Sequence, residues 1–142
     1  MTVDGWKEYL DSIHRLDREI DRMLNQVCAL ESEATYITAR YGGETVTHSR
    51  NVHATEDIIV RKIDLEHQMN DATDKLIEMR KYVLLIFTQL SKPEYTTAMK
   101  QRYLDYFTWE QIAEKNYCSV STAKRWCALA LDEMAAFKVE PP

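Results

Sequence analysis

From Trp6 onward the apolar residues Trp6, Tyr9, Ile13, Leu16, Ile20, Met23, Val27, Leu30, Ala34, Ile37 and Tyr41 recur in alternating steps of three and four. That spacing keeps one stripe of a helix apolar for about five heptads, as in a helix laid along another helix. The pattern resumes at Leu65, Met69, Ala72, Leu76, Met79, Val83, Ile86 and Leu90. Neither segment alternates with the period of a strand, so the expected fold class is all-α. Between them the Gly42-Gly43 pair and a run rich in Thr, Ser, Asn and His, to about Glu56, predict a chain-reversing loop near 42–56. Residues 1–91 are therefore expected to form a long antiparallel coiled-coil hairpin, roughly 45 to 55 Å long at about 1.5 Å per residue.

Leu10, Leu24, Ile58, Ile59, Ile63, Ile77, Tyr82, Leu84 and Leu85 widen the seam beyond strict coiled-coil positions. Two helices cover each other on one side only. The extra apolar width favours burial against a second copy, giving a homodimer through a four-helix bundle. The alternative is that these residues wrap the hairpin onto the chain's own C-terminal part.

Ser91-Lys-Pro-Glu94 reads as a capping box with Pro early in a new helix, which runs through Tyr95, Met99, Arg102 and Tyr103 to about Asp105. Thr108 and Gln111 form a second capping box, and Ser119 supplies the hydroxyl that caps a further helix. Ile112, Cys118, Ala123 and Trp126 or Cys127 hold these two short helices together, with the small Ala113 where they cross. Residues 92–138 thus read as a three-helix helix-turn-helix domain, followed by a tail at 139–142. Such a unit places its second helix in the major groove of DNA.

Projected at about 100° per residue, Ala123, Cys127, Ala130, Met134 and Phe137 form an inward stripe bordered by Leu131 and Trp126. Ser121, Arg125 and Ala128 face the other way, flanked by Thr122 and Lys124. Hydroxyls, a guanidinium and a small residue suit close approach to base edges and phosphates. With the caps Thr108 and Ser119 they are the candidate DNA-binding residues; the alternative reading is an ordinary solvated helix face. The formal net charge is −5, and Glu94 to Lys138 holds six basic and six acidic residues. A neutral reader binds phosphates weakly on its own. Stable binding then calls for a second copy or a protein already at the promoter.

Other classes are excluded by composition. No apolar run approaches the roughly 20 residues that span a bilayer, and no signal-peptide pattern opens the chain, so a soluble, intracellular protein is expected. Cys28, Cys118 and Cys127 are odd in number and lack a C-x-x-C spacing, which predicts reduced, buried thiols. His14, His48, His53 and His67 complete no ligand set, so no metal is expected. Neither a phosphate-cradling Gly loop nor a nucleophile elbow is present, so neither a cofactor nor enzymatic activity is expected.

Arg102-Tyr-Leu104, Thr108-Trp-Glu-Gln-Ile-Ala-Glu114, Ser119 through Arg125 and Ala130-Leu131 resemble the promoter-reading C-terminal region, region four, of bacterial sigma factors. Through Tyr9-Leu10, Leu16-Asp17, Ala34-Thr35, Lys62-Ile-Asp-Leu-Glu66, Pro93-Glu-Tyr95 and Trp109-Glu-Gln-Ile-Ala113, nearly the whole chain resembles a family of small phage and prophage proteins of Gram-positive bacteria. Phage late-gene transcription activators share that kind of head. The resemblance implies a cytoplasmic regulator in the bacterial host cell, with double-stranded DNA and RNA polymerase as its partners, acting on late or packaging genes. Two positions depart from the pattern: Tyr117 stands near where a Gly of positive φ is usual, and Val120 replaces an early Arg. A one-residue shift would put Asn116, the next best occupant, in the turn. Two other functions remain open, a small-terminase-like DNA-packaging protein and a protein-interaction adaptor whose helix-turn-helix does not bind DNA.

Overall fold

The computed structural model describes residues 1–41 and 48–142. It is all-helical: α1 is Val3–Tyr41, α2 His48–Phe87, α3 Pro93–Tyr103, α4 Trp109–Lys115 and α5 Val120–Ala136. Among the described residues there is no strand. With 39 and 40 residues, α1 and α2 are each about 60 Å long. Because α2 already starts at His48, residues 48–56 are helical rather than part of the expected loop. No Gly or Pro occurs between Gly43 and Pro93, so nothing stops a helix nucleated by the apolar residues from Ile58 onward from extending toward its N-terminus. The rest of the expected loop, residues 42–47, lies outside the described residues.

The chain divides into two compact units, residues 17–74 and residues 1–16 with 75–142. In the first, Val27 of α1 and Ile58 of α2 are buried. Lys62 Nζ lies 3.0 Å from Glu31 Oε1 and 3.6 Å from Glu66 Oε1. These carboxylates are well exposed, so the pairs orient more than they stabilise. Leu24, Tyr36, Ile59, Val60 and Ile63 each leave between 46% and 57% of their surface in solvent. They are far more apolar surface than this unit's own burial accounts for.

In the second unit, α3, α4 and α5 pack on one another, and the first turns of α1 with the last turns of α2 belong to the same compact body. Its core is completed from the ends of the two long helices: the seam residues Trp6, Ile13 and Val83, the flanking Leu10, and Phe87, which lies outside both patterns, are fully buried, as are Met99, Ile112, Leu131 and Met134. Polar ties reinforce it. Thr96 Oγ1 donates to the Phe87 carbonyl at 2.8 Å, and Arg80 Nη1 donates to the Leu104 carbonyl at 3.1 Å and to Tyr106 Oη at 3.3 Å. Leu131 is a central core residue rather than a border one, while Trp126 and Phe137 remain half-buried.

The capping box expected at Ser91 does not form. Lys92 is the N-cap of α3 and has no side-chain cap bond, with Pro93 opening the helix. Ser91 instead donates its N–H and its hydroxyl to the two carboxylate oxygens of Glu133 on α5, at 2.9 and 3.0 Å. A charge-assisted pair of bonds is stronger than one neutral cap, and Pro93 lacks an N–H that would need one. The cysteines also differ from expectation. All are free, but only Cys127 is buried; Cys118 is half-buried and Cys28 exposed, since its place beside the seam faces solvent.

Burial pushes the Tyr103 phenol up to about 12 and the Cys127 thiol up to about 12. The unfolded chain releases these protons near their ordinary values of 10.0 and 9.0, so above about pH 9 the folded state binds more protons and stability falls as pH rises. The urea midpoint is therefore expected to drop between about pH 8 and about pH 10.5, with a shallower slope in Cys127→Ala. Equal slopes for the two proteins would show that Cys127 does not contribute to it.

Candidate nucleic-acid interface

Helix α4 has only seven residues, and its two ends show how so short a helix is held. At its start Thr108 Oγ1 accepts from the Gln111 N–H at 3.2 Å while Gln111 Oε1 accepts from the Thr108 N–H at 2.9 Å, so the predicted capping box is complete. Its far end closes as a Schellman motif: the Cys118 N–H donates to the Ala113 carbonyl at 3.0 Å and the Tyr117 N–H to the Glu114 carbonyl at 3.4 Å. This closure needs one residue in the left-handed region, and Tyr117 takes it with φ of 53°. The alternative shift to Asn116 does not occur. Asn116 has φ of −102°, and its Nδ2 is held by Gln101 Oε1 at 2.6 Å and the Ile112 carbonyl at 2.7 Å. The turn is therefore in the register that the inward stripe of α5 requires.

Ser119 then caps α5, its Oγ accepting from the Thr122 N–H at 3.1 Å and pairing with Thr122 Oγ1 at 2.8 Å. Ala123, Cys127, Ala130, Leu131 and Met134 face the core. This burial fixes the rotation of the helix and leaves Ser121, Lys124, Arg125 and Ala128 exposed. Among the described residues none of these four side chains has a hydrogen-bond or ion-pair partner. The seven candidates fall into two groups by geometry. Thr108, Ser119 and Thr122 spend their hydroxyls on helix ends, whereas Ser121, Lys124, Arg125 and Ala128 form the open face.

Near this face one residue was not singled out from the sequence, and the exposure of another, Tyr117, was not foreseen. Leu129, four residues after Arg125 and so on the same side of the helix, is 39% exposed; its spacing was a readable signal. Tyr117 is 96% exposed, which no periodicity announces because turn side chains follow none. Two cations near the turn rest on rings: the Arg102 guanidinium 4.3 Å from the Trp109 centroid and Lys115 Nζ 5.0 Å from that of Phe107. Among the described residues no group of His, Cys, Asp and Glu could hold a metal ion. None of their helices is long and apolar enough to cross a membrane.

Comparison with protein-family models, with curated proteins and with solved structures returned no match.

Left-handed backbone costs a residue with a Cβ about 1–2 kcal/mol, and Gly returns about 0.4–1 kcal/mol of that through the greater freedom of the unfolded chain. Since the Tyr117 ring has almost no contact to lose, Tyr117→Gly is expected to stabilise the protein by about 0.5–1 kcal/mol. Equilibrium denaturation measures this, and a lowered midpoint would mean that the ring supports the fold.

Proposed function

We propose that the chain is a DNA-binding transcriptional regulator of the phage late-activator type. In this reading α3, α4 and α5 are a helix-turn-helix domain that presents α5 to the major groove, and α1 and α2 are an antiparallel hairpin that couples two copies. The observation that carries it is the open face of α5: one guanidinium, one ammonium, one hydroxyl and one small residue, exposed together behind a capped turn. Arg125 offers a planar fork suited to guanine or phosphate, Lys124 a point charge for the backbone, Ser121 an adaptable donor and acceptor, and Ala128 room for close approach. RNA polymerase is the further partner that a neutral reader would use at a promoter.

The hairpin reading is supported by the unit 17–74. Gln26, Ala29, Leu30 and Glu33 line one groove with Arg61, Asp64 and Leu65, and Glu31 meets Lys62, so α1 and α2 lie side by side along this stretch, as the two arms of a hairpin would. Leu24, Ile59, Val60 and Ile63, half exposed on this unit, supply the apolar surface for a second copy. Dimerisation doubles the phosphate contacts, which compensates for a domain whose charges cancel. The adaptor reading rests on that same neutrality and predicts association with a protein rather than with DNA.

Sequencing the DNA fragments retained by the purified protein is expected to return one enriched site. On that site Arg125→Ala should abolish the footprint with helical content unchanged, a loss of about 1–3 kcal/mol in base discrimination. An unchanged footprint counts against α5 as the reader, and no retention even at low salt selects the adaptor. For the second element, Ile59→Lys with Ile63→Lys should convert a dimer into a monomer in sedimentation. A wild-type chain that is itself monomeric refutes coupling through this surface.

A further inference from the structure

Beside α4, on the side of the unit formed by the start of α1, lies a cleft of about 360 Å³ that the DNA-reading proposal does not use. Lys7, Leu10, Asp11 and His14 contribute one face of α1, at helical spacing, and Arg102, Tyr103, Tyr106 and Trp109 contribute the opposite wall. Leu10 is fully buried and gives an apolar floor. The walls are flat. His14 stacks on Tyr106 with centroids 4.1 Å apart and planes 17° from parallel, and Arg102 lies against the Trp109 ring.

We propose that this cleft binds a small planar aromatic anion, a ring bearing a carboxylate or a phosphate. Flat aromatic walls favour a flat ring through stacking, and the volume is in the range of small-molecule sites. The charges specify the sign. Arg102 and Lys7 oppose a single carboxylate, Asp11, and among the described residues neither cation lies within ion-pair distance of a carboxylate. Arg102 is half-buried, yet among the described residues it donates a hydrogen bond only to the neutral carbonyl of Phe107, at 3.1 Å. The remaining N–H groups of its planar fork match the two oxygens of a carboxylate or phosphate. The half-buried Tyr103 phenol, its pKa raised by desolvation, keeps its proton at neutral pH and does not repel an anion.

The test is calorimetric titration of the full chain with salicylate, adenosine 5′-monophosphate and inorganic phosphate, with the Trp109 indole N–H followed by NMR. At least one ring-bearing anion is expected to saturate a single site with Kd below about 1 mM and to shift the Trp109 resonance, while inorganic phosphate does neither. Salicylate against the nucleotide tells which anionic group the fork takes. Arg102→Met should weaken binding at least about tenfold, and Lys7→Met, a change on an exposed helix surface, severalfold. If Arg102→Met fails to fold, Lys7→Met decides alone. Absence of saturation by both ring-bearing anions, equal binding of inorganic phosphate, or undiminished affinity in the folded variants would overturn the assignment. None of these readouts requires that the protein bind DNA.

Discussion

Seven residues are about half of what an isolated helix needs to be stable in water, so α4 exists only through its surroundings. Its capping box satisfies donors at one end, the Schellman closure satisfies carbonyls at the other, and Ile112 is removed completely from solvent. Full burial of an isoleucine is worth about 1.5–3 kcal/mol, more than either cap at about 1 kcal/mol. The core beneath Ile112 thus outweighs local propensity. That core reaches beyond α3 and α5 to Trp6 and Phe87, because helices of 11, 7 and 17 residues have too little inward surface to enclose a core alone.

Electrostatics sets the scale of any nucleic-acid function. With Lys124 and Arg125 as the cations on the open face, one copy would neutralise about two phosphates, and the logarithmic salt slope would be only about −2. Proteins that find single sites in a genome make several times as many contacts. On the DNA-reading proposal, the affinity that one α5 lacks has to come from a second copy or from polymerase. The half-exposed isoleucines of α2 and the neutrality of the reader are then two sides of one design, since each is a liability in a monomer.

What could be read from the sequence was what local chemistry decides. The heptad steps specify the long helices, Thr108 with Gln111 a helix start, and the stripe from Ala123 to Met134 the buried face of α5. Periodicity, however, says which face is buried and not against what. Trp6 and Val83 follow the hairpin seam in register, yet belong to the unit that holds α3 to α5. Ser91 was misread because its competitor, Glu133, lies 42 residues away. Tyr117 against Asn116 stayed open, since one of the two partners that hold the Asn116 amide, Gln101, comes from another helix. In the site, the exposed face followed from the stripe, but which hydroxyls stay free did not: Thr122 shares its hydroxyl with Ser119, and only Ser121 keeps one for a ligand.

The outer face of α5 also constrains how it could dock. Arg125 and Ser121 lie in its first half, whereas Leu129 and Asp132 follow on the same side one and two turns later. A carboxylate facing the phosphate backbone is repelled, and burying it between the strands would leave it unpaired. On the DNA-reading proposal, the helix must therefore enter N-terminus first and tilt away before Asp132, as recognition helices that contact bases through their first turns do. In that pose Leu129 sits at the groove edge, where a leucine reads no base hydrogen bond but can cover a thymine methyl. A helix lying flat along the groove would bring Asp132 onto the phosphates, and is the pose that this distribution of side chains disfavours.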